Sequence, residues 1–139
     1  MKVLIDTNII IDALTAREPW NKNAEKIFFM AANYIAQMYI TANTATDIYY
    51  LLRKYLKNPE EAKQTMSKLF SLFGILDVTG NDCINALSST IPDYEDAVLE
   101  QSAISAHMDC IVTRNIKDYK SSSIRAFLPE EFIAFIEQS

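Results

Sequence analysis

Short apolar runs alternate along this chain with stretches whose apolar residues are spaced for helices. That alternation restricts the fold more than any other feature of the sequence. Lys2–Ile5, Met38–Ala42, Gly74–Val78 and Cys110–Thr113 read as strands, and residues 125–128 as a short last one. Between them lie helical patterns. Ile9–Leu14 is the first, and Asn21–Gln37 carries Ala24, Ile27, Phe28, Ala31, Ala32 and Ile35 at helical spacing. A helix starting near Thr44 places Ile48, Leu51, Leu52, Tyr55 and Leu56 on one face. Asn58-Pro59 ends it, because a residue before proline avoids helical angles, and Pro59 suits the first turn of the next helix, to about Phe73. Asn81–Ser88, Pro92-Asp93 to Met108, and a stretch from Pro129 complete the set, with Asn115–Ser123 read as a polar loop.

Apolar strands separated by helices form a parallel sheet covered on both sides. The expectation is an α/β fold with a central parallel sheet of four to five strands and helices on both faces, residues 1–139 making a single domain. Ligands of such sheets bind beyond the carboxyl ends of the strands, near a reversal of strand order. Asp6 ends the first strand, and Thr113-Arg114-Asn115 follows the fourth.

Composition narrows the chemistry. Two glycines, Gly74 and Gly80, are too few for a phosphate-cradling glycine loop. Two cysteines without CxxC spacing and a single histidine, His107, give neither a zinc site nor a Cys-His or Ser-His-acid set. They fit a reducing, cytoplasmic setting. His107 reads as structural, beside the last carbonyls of a helix. No apolar run is long enough to cross a bilayer, and Asp6 interrupts the opening apolar stretch too early for a secretory signal. The formal net charge is −5, yet residues 48–70 and 114–125 are each net +3. These basic stretches are either solvated faces or a polyanion-binding surface beside an acidic centre.

Each acid has an ordinary reading beside a functional one. Asp6 either caps the helix that follows it or points into the ligand crevice. Asp47, three residues after Thr44, resembles a capping-box partner at the helix start. Asp93, Glu95 and Asp96 crowd one helix start more than capping requires, and a divalent cation would relieve their repulsion. Asp12 shares a helix face with Asn8. Asn115 and Asp118 suit a turn. Carboxylates without histidine or cysteine suit a hard cation such as Mg²⁺ or Mn²⁺.

Four segments together resemble the PIN domain family: Val3-Leu4-Ile5-Asp6-Thr7-Asn8-Ile9-Ile10-Ile11-Asp12, Ala45-Thr46-Asp47-Ile48, Asp93-Tyr94-Glu95-Asp96-Ala97 and Thr113-Arg114-Asn115-Ile116-Lys117-Asp118-Tyr119. Many PIN domains are metal-dependent ribonucleases, and many small ones resemble toxins of toxin–antitoxin pairs. The resemblance implies Asp6, Asp47 and Asp96 as ligands of Mg²⁺ or Mn²⁺. Asn115 stands where an aspartate is frequent, and Asp118 compensates if its loop turns inward. Thr113 is expected to position ligand or water by its hydroxyl. Asn8, Asp12 and Asp93 are expected to support the ligating carboxylates. Arg114, Lys117 and Lys120, then Arg53, Lys54 and Lys57, are the expected phosphate contacts, with Tyr119 offered to stack on bases. The implied activity is endoribonuclease cleavage of RNA, with an antitoxin as partner and a homodimer as a further arrangement. The alternative is a PIN-like binding module with a degenerate site. A haloacid-dehalogenase-like phosphatase is disfavoured, because Asp6-Thr7-Asn8 lacks the second aspartate that site needs. A phospho-receiver wants paired acids after its first strand, which are also missing.

Overall fold

The computed structural model describes residues 1–139. Strand β1 (Lys2–Ile5) leads into α1 (Thr7–Leu14) and α2 (Asn21–Ala32). Strand β2 (Gln37–Thr41) is followed by α3 (Ala42–Leu56) and α4 (Pro59–Leu72), and β3 (Gly74–Leu76) by α5 (Gly80–Ala86) and α6 (Tyr94–Ser105). Strand β4 (Cys110–Val112), a 3-10 turn (Ile116–Tyr119), β5 (Arg125–Phe127) and α7 (Pro129–Glu137) complete the chain.

The five strands form one sheet in the order β3-β2-β1-β4-β5. Every neighbouring pair is parallel. The chain steps outward from β1 through β2 to β3, then returns to lay β4 on the other side of β1. The order therefore reverses between β1 and β4, as expected for the ligand-binding edge.

Strand alternation divides the core into two layers. Val3 and Ile5 of β1, with Cys110 and Val112 of β4, face a larger cluster built with residues of α1 to α4 and α7. Leu4 and Ile111 face the other way, into a smaller cluster with Ala97, Val98 and Leu99 of α6. Each fully buried isoleucine or leucine contributes roughly 1.5–3 kcal/mol. Gly74 opens β3 because the Tyr39 ring lies against it; a Cβ there would sit 2.6 Å from Tyr39 Cδ1.

Several boundaries differ from the sequence pattern for local reasons. Helix α2 stops at Ala32 rather than near Gln37. Asn33 Nδ2 donates to the Phe29 carbonyl at 2.8 Å, and Tyr34 takes a left-handed φ of 56°. Helix α3 starts at Ala42, directly after β2, with the Thr41 hydroxyl accepting from the Thr44 amide at 3.3 Å. Asp47 thus lies in the second turn, and its capping reading is wrong. Helix α6 ends at Ser105; His107 then takes φ 57° and donates its N–H to the Ile104 carbonyl. The segment read as an open polar loop contains the 3-10 turn, held where buried Tyr119 donates to the Asp96 carbonyl at 3.4 Å. That burial removes Tyr119 as a base-stacking group. No helix is long and apolar enough to cross a membrane.

Candidate active site

At the carboxyl edge of β1 and β4 lies a cleft of about 440 Å³, lined by Asp6, Thr7, Asn8, Ile11, Arg17, Asp47, Tyr50, Leu51, Asp93, Glu95, Asp96 and Asn115. Five of these twelve residues are carboxylic acids, supplied by β1, α3 and the start of α6. A small adjoining cavity is bounded by Asp47, Glu95, Asp96, Asn43 and Thr44.

Asp6 fills both roles the sequence offered. Its Oδ1 accepts the Thr7 amide at 2.7 Å, capping α1, while Oδ2 accepts the Thr113 hydroxyl at 2.7 Å and lies 3.4 Å from Asn8 Nδ2. Its backbone is fixed as well, since the Asp6 N–H donates to the Val112 carbonyl across the strand reversal. Burial pushes the Asp6 carboxyl up from its ordinary pKa, against the Thr113 and Thr7 hydrogen bonds and the Arg114 charge that lower it; the Asp93 charge adds to the rise.

Asp93 caps α6 by accepting the Asp96 amide at 3.0 Å. This turns Asp96 inward, where its Oδ2 is buried with no donor facing it. The Asp96 carboxyl is pushed up to about 8, chiefly by loss of water, then by a hydrogen bond to Asp118 and the charges of Asp6, Asp93 and Asp118. The 3-10 turn brings the charge of Asp118 near Asp96, although Asp118 is not among the residues lining the cleft. Asp47, by contrast, is exposed on the cleft wall.

Thr113 departs from its expected role. It is fully buried, donates to Asp6 and accepts the Asn115 amide at 3.0 Å, so it positions Asp6 rather than a ligand or water. Asn115 lines the cleft. Asp12 is buried away from it and takes Arg114 as its partner: Nε to Oδ2 at 2.8 Å and Nη2 to Oδ1 at 3.2 Å. The Arg114 guanidinium also lies over the Trp20 ring, 4.1 Å from its centroid. Arg114 is thereby committed inside the protein, and the expectation of a free phosphate contact there is corrected. Lys117 and Lys120 are exposed on and after the turn. Arg53, Lys54 and Lys57 are exposed on and just after α3, with Lys54 Nζ 4.5 Å from the Tyr50 ring centroid.

Three groups escaped the sequence reading. The Thr7, Thr44 and Thr41 hydroxyls form a chain at 3.0 and 2.9 Å behind the cleft. Arg17 lines the cleft, and Trp20 packs on Arg114. Only the proximity of Thr7 to Asp6 gave any sequence signal.

The donor set suits a hard cation: oxygen ligands only, mutually repelling, with an unpartnered buried Oδ2 on Asp96. As they stand, no three acids are close enough together to grip one ion. The acids thus line a shared cleft without closing around a single point.

The family model described as PIN domain matches residues 2–117. No curated protein gives a significant match. Among solved structures, a toxin–antitoxin complex from Klebsiella pneumoniae is similar at 21% identity and a TM-score of 0.70, with 91% of this chain and 97% of that chain covered. VapBC2 from Rickettsia felis, bound to a promoter DNA fragment, is similar at 20% identity and a TM-score of 0.66, covering 92% and 98%. Mycobacterium tuberculosis VapC20, a toxin that cleaves the sarcin–ricin loop, follows at 12% identity and a TM-score of 0.61, covering 78% and 86%.

Proposed function

Because this chain belongs to the PIN domain family, we propose that it is a Mg²⁺- or Mn²⁺-dependent endoribonuclease acting as the toxin of a toxin–antitoxin pair. The observation that carries this reading is the cleft at the β1–β4 reversal. Its five acids include a buried Asp96 whose Oδ2 has no partner. A structural acid in that state would cost stability without return, whereas a cation site requires it.

Asp6, Asp47 and Asp96 would hold the cation, with Asp118 beside Asp96 as a further oxygen donor. Bound there, the cation supplies Lewis-acid polarisation of a phosphodiester and lowers the pKa of water. The protein's own part is positional. Thr113 and the Thr7 amide fix both oxygens of Asp6, and the Asp93 cap turns Asp96 inward. Asn115 offers a neutral amide that can orient water or accept a hydrogen bond but adds no charge. Lys117, Lys120, Arg53, Lys54 and Lys57, all exposed, would meet the flanking phosphates of an RNA strand. Exposed Tyr50 on the cleft wall is the aromatic suited to base stacking, in place of Tyr119.

The similarity to a toxin–antitoxin complex and to a sarcin–ricin-loop cleaving toxin supports RNA as substrate and a small antitoxin as partner. We extend the reading to one cytoplasmic domain over residues 1–139; both cysteines are free. The test is Asp6→Asn, assayed with a labelled RNA digest in Mn²⁺ and by circular dichroism. The expected result is an unchanged spectrum with cleavage lost; cleavage at the wild-type rate defeats the reading. One observation favours a degenerate binding module instead, namely the absence of three acids already gathered around one point. Calorimetric Mn²⁺ titration separates the two, since a degenerate site takes up no ion at millimolar metal.

A further inference from the structure

Two arginines compete for one buried carboxylate, and the outcome leaves one of them free. Asp12 is 1% exposed and needs a counter-charge. Arg114 supplies it with a forked pair of hydrogen bonds that occupies both oxygens, at 2.8 and 3.2 Å. Arg17 Nη1 reaches only to 4.0 Å from Asp12 Oδ1, too far for a hydrogen bond. The indole of Trp20 repeats the preference: the Arg114 guanidinium is 4.1 Å from the ring centroid and that of Arg17 is 5.8 Å away.

Arg17 is nonetheless fixed by its backbone. Its N–H donates to the Asp12 carbonyl at 2.9 Å, and its carbonyl accepts the Asn21 N–H at 2.9 Å. Its side chain is 55% exposed, and it is the sole cation among the twelve residues lining the acidic cleft. It forms no ion pair with Asp6, Asp47, Asp93, Glu95 or Asp96. An anchored backbone, a loosely held guanidinium and a position on the wall of an anionic cleft suit the capture of a second anion. Asp93 and Glu95, which the proposed metal ion would not engage, would still repel a phosphodiester, and Arg17 is the side chain lining the cleft that can offset them.

We propose that Arg17 is the phosphate-binding residue of the cleft, exchanging its weak contact with Asp12 for the non-bridging oxygens of a nucleic-acid phosphate, while Arg114 keeps Asp12 neutralised. The proposal rests on the nuclease reading, and the guanidinium's two parallel donors match a phosphate as an ammonium cannot.

The experiment follows initial rates on a labelled single-stranded RNA oligonucleotide, with Mn²⁺ present, across a KCl series. Arg17→Ala should lower kcat/KM by about tenfold, the effect of one lost charge-assisted hydrogen bond. It should also make the fall of log kcat/KM with log salt shallower by about 0.7, the loss of one phosphate contact. Arg17→Lys should restore the salt slope and part of the rate. Melting temperature and calorimetric Mn²⁺ affinity should stay at wild-type values. If Arg17→Ala leaves rate and salt slope unchanged, the proposal is overturned while the nuclease reading stands. A lower melting temperature with unchanged kinetics also overturns it, and assigns Arg17 to Asp12 as a second counter-ion. A wild-type chain that binds no Mn²⁺ and cuts no RNA removes both.

Discussion

Asp82 and Asp96 each stand third in a helix, Asp82 in α5 and Asp96 in α6, and both are nearly out of water at 1% and 7% exposure. Their surroundings differ completely. Asp82 accepts the Thr79 amide at 3.0 Å and the Ser105 hydroxyl at 2.6 Å, closing a capping box in which Thr79 answers to the Asp82 amide. Burial works to raise its pKa, but the hydrogen bonds from Ser105 and Thr79 outweigh burial, and the carboxyl is held below its usual range. Asp96 has a buried oxygen without a donor and three further acids close by, and it is pushed up to about 8. Burial and helix position are therefore shared by a structural and a functional candidate. What separates them is whether the protein itself satisfies the negative charge.

The comparison can be broken at its functional end first. Asp96→Asn should abolish Mn²⁺-dependent cleavage, a loss of at least about a hundredfold on the scale of removing transition-state charge stabilisation. It should also abolish the rise in melting temperature that a bound Mn²⁺ would give the wild type. A variant that still cuts RNA and is still stabilised by Mn²⁺ would place Asp96 with Asp82 as a structural acid.

At the structural end, Asp82→Ala should cost about 2 kcal/mol, combining a lost cap with stranded hydrogen bonds. Urea unfolding measures it. Cleavage per folded molecule should be unchanged, because Asp82 does not line the cleft.

The comparison also sets the pH response of protein held in EDTA. The folded pKa of Asp96 is raised from 3.8 to about 8, so its contribution is full below about pH 4 and is lost as pH rises toward 8. Melting temperature should therefore fall from pH 5 to pH 8, and Asp96→Asn should flatten that fall. The folded pKa of Asp82 is lowered, so its contribution is present above the unfolded value and lost as pH drops through the folded one. Asp82→Asn should leave the slope between pH 5 and 8 intact. An identical flattening by both variants would contradict the distinction.

The alternation of strands and helices was legible because it follows from local periodicity and from the punctuation of Asn58-Pro59 and Pro129. The placement of Asp6 and Asp96 in one cleft follows once a parallel sheet is granted. The rest depended on pairs no window of sequence contains. Arg114 reads as a basic loop residue until Asp12, 102 positions away, is seen beneath it. Thr113 reads as a free hydroxyl until Asp6 is found 2.7 Å off. Asp47 reads one turn too early in its helix because Thr41 ends a strand and caps a helix at once, leaving no loop to mark the boundary. Asp82 stands three after Thr79 at capping-box spacing, but its burial depends on Ser105, 23 positions away.

The reach between Asp6 and Thr113 spans 107 positions and crosses the strand reversal. During synthesis, Asp6 emerges well before Thr113, and it has no β4 to lie against until the segment 107 positions later has followed. Domains generally fold as units, and contacts between distant segments come late because their loops must close first. The pairing that fixes Asp6 is thus open to the growing chain only once β4 slots in beside β1.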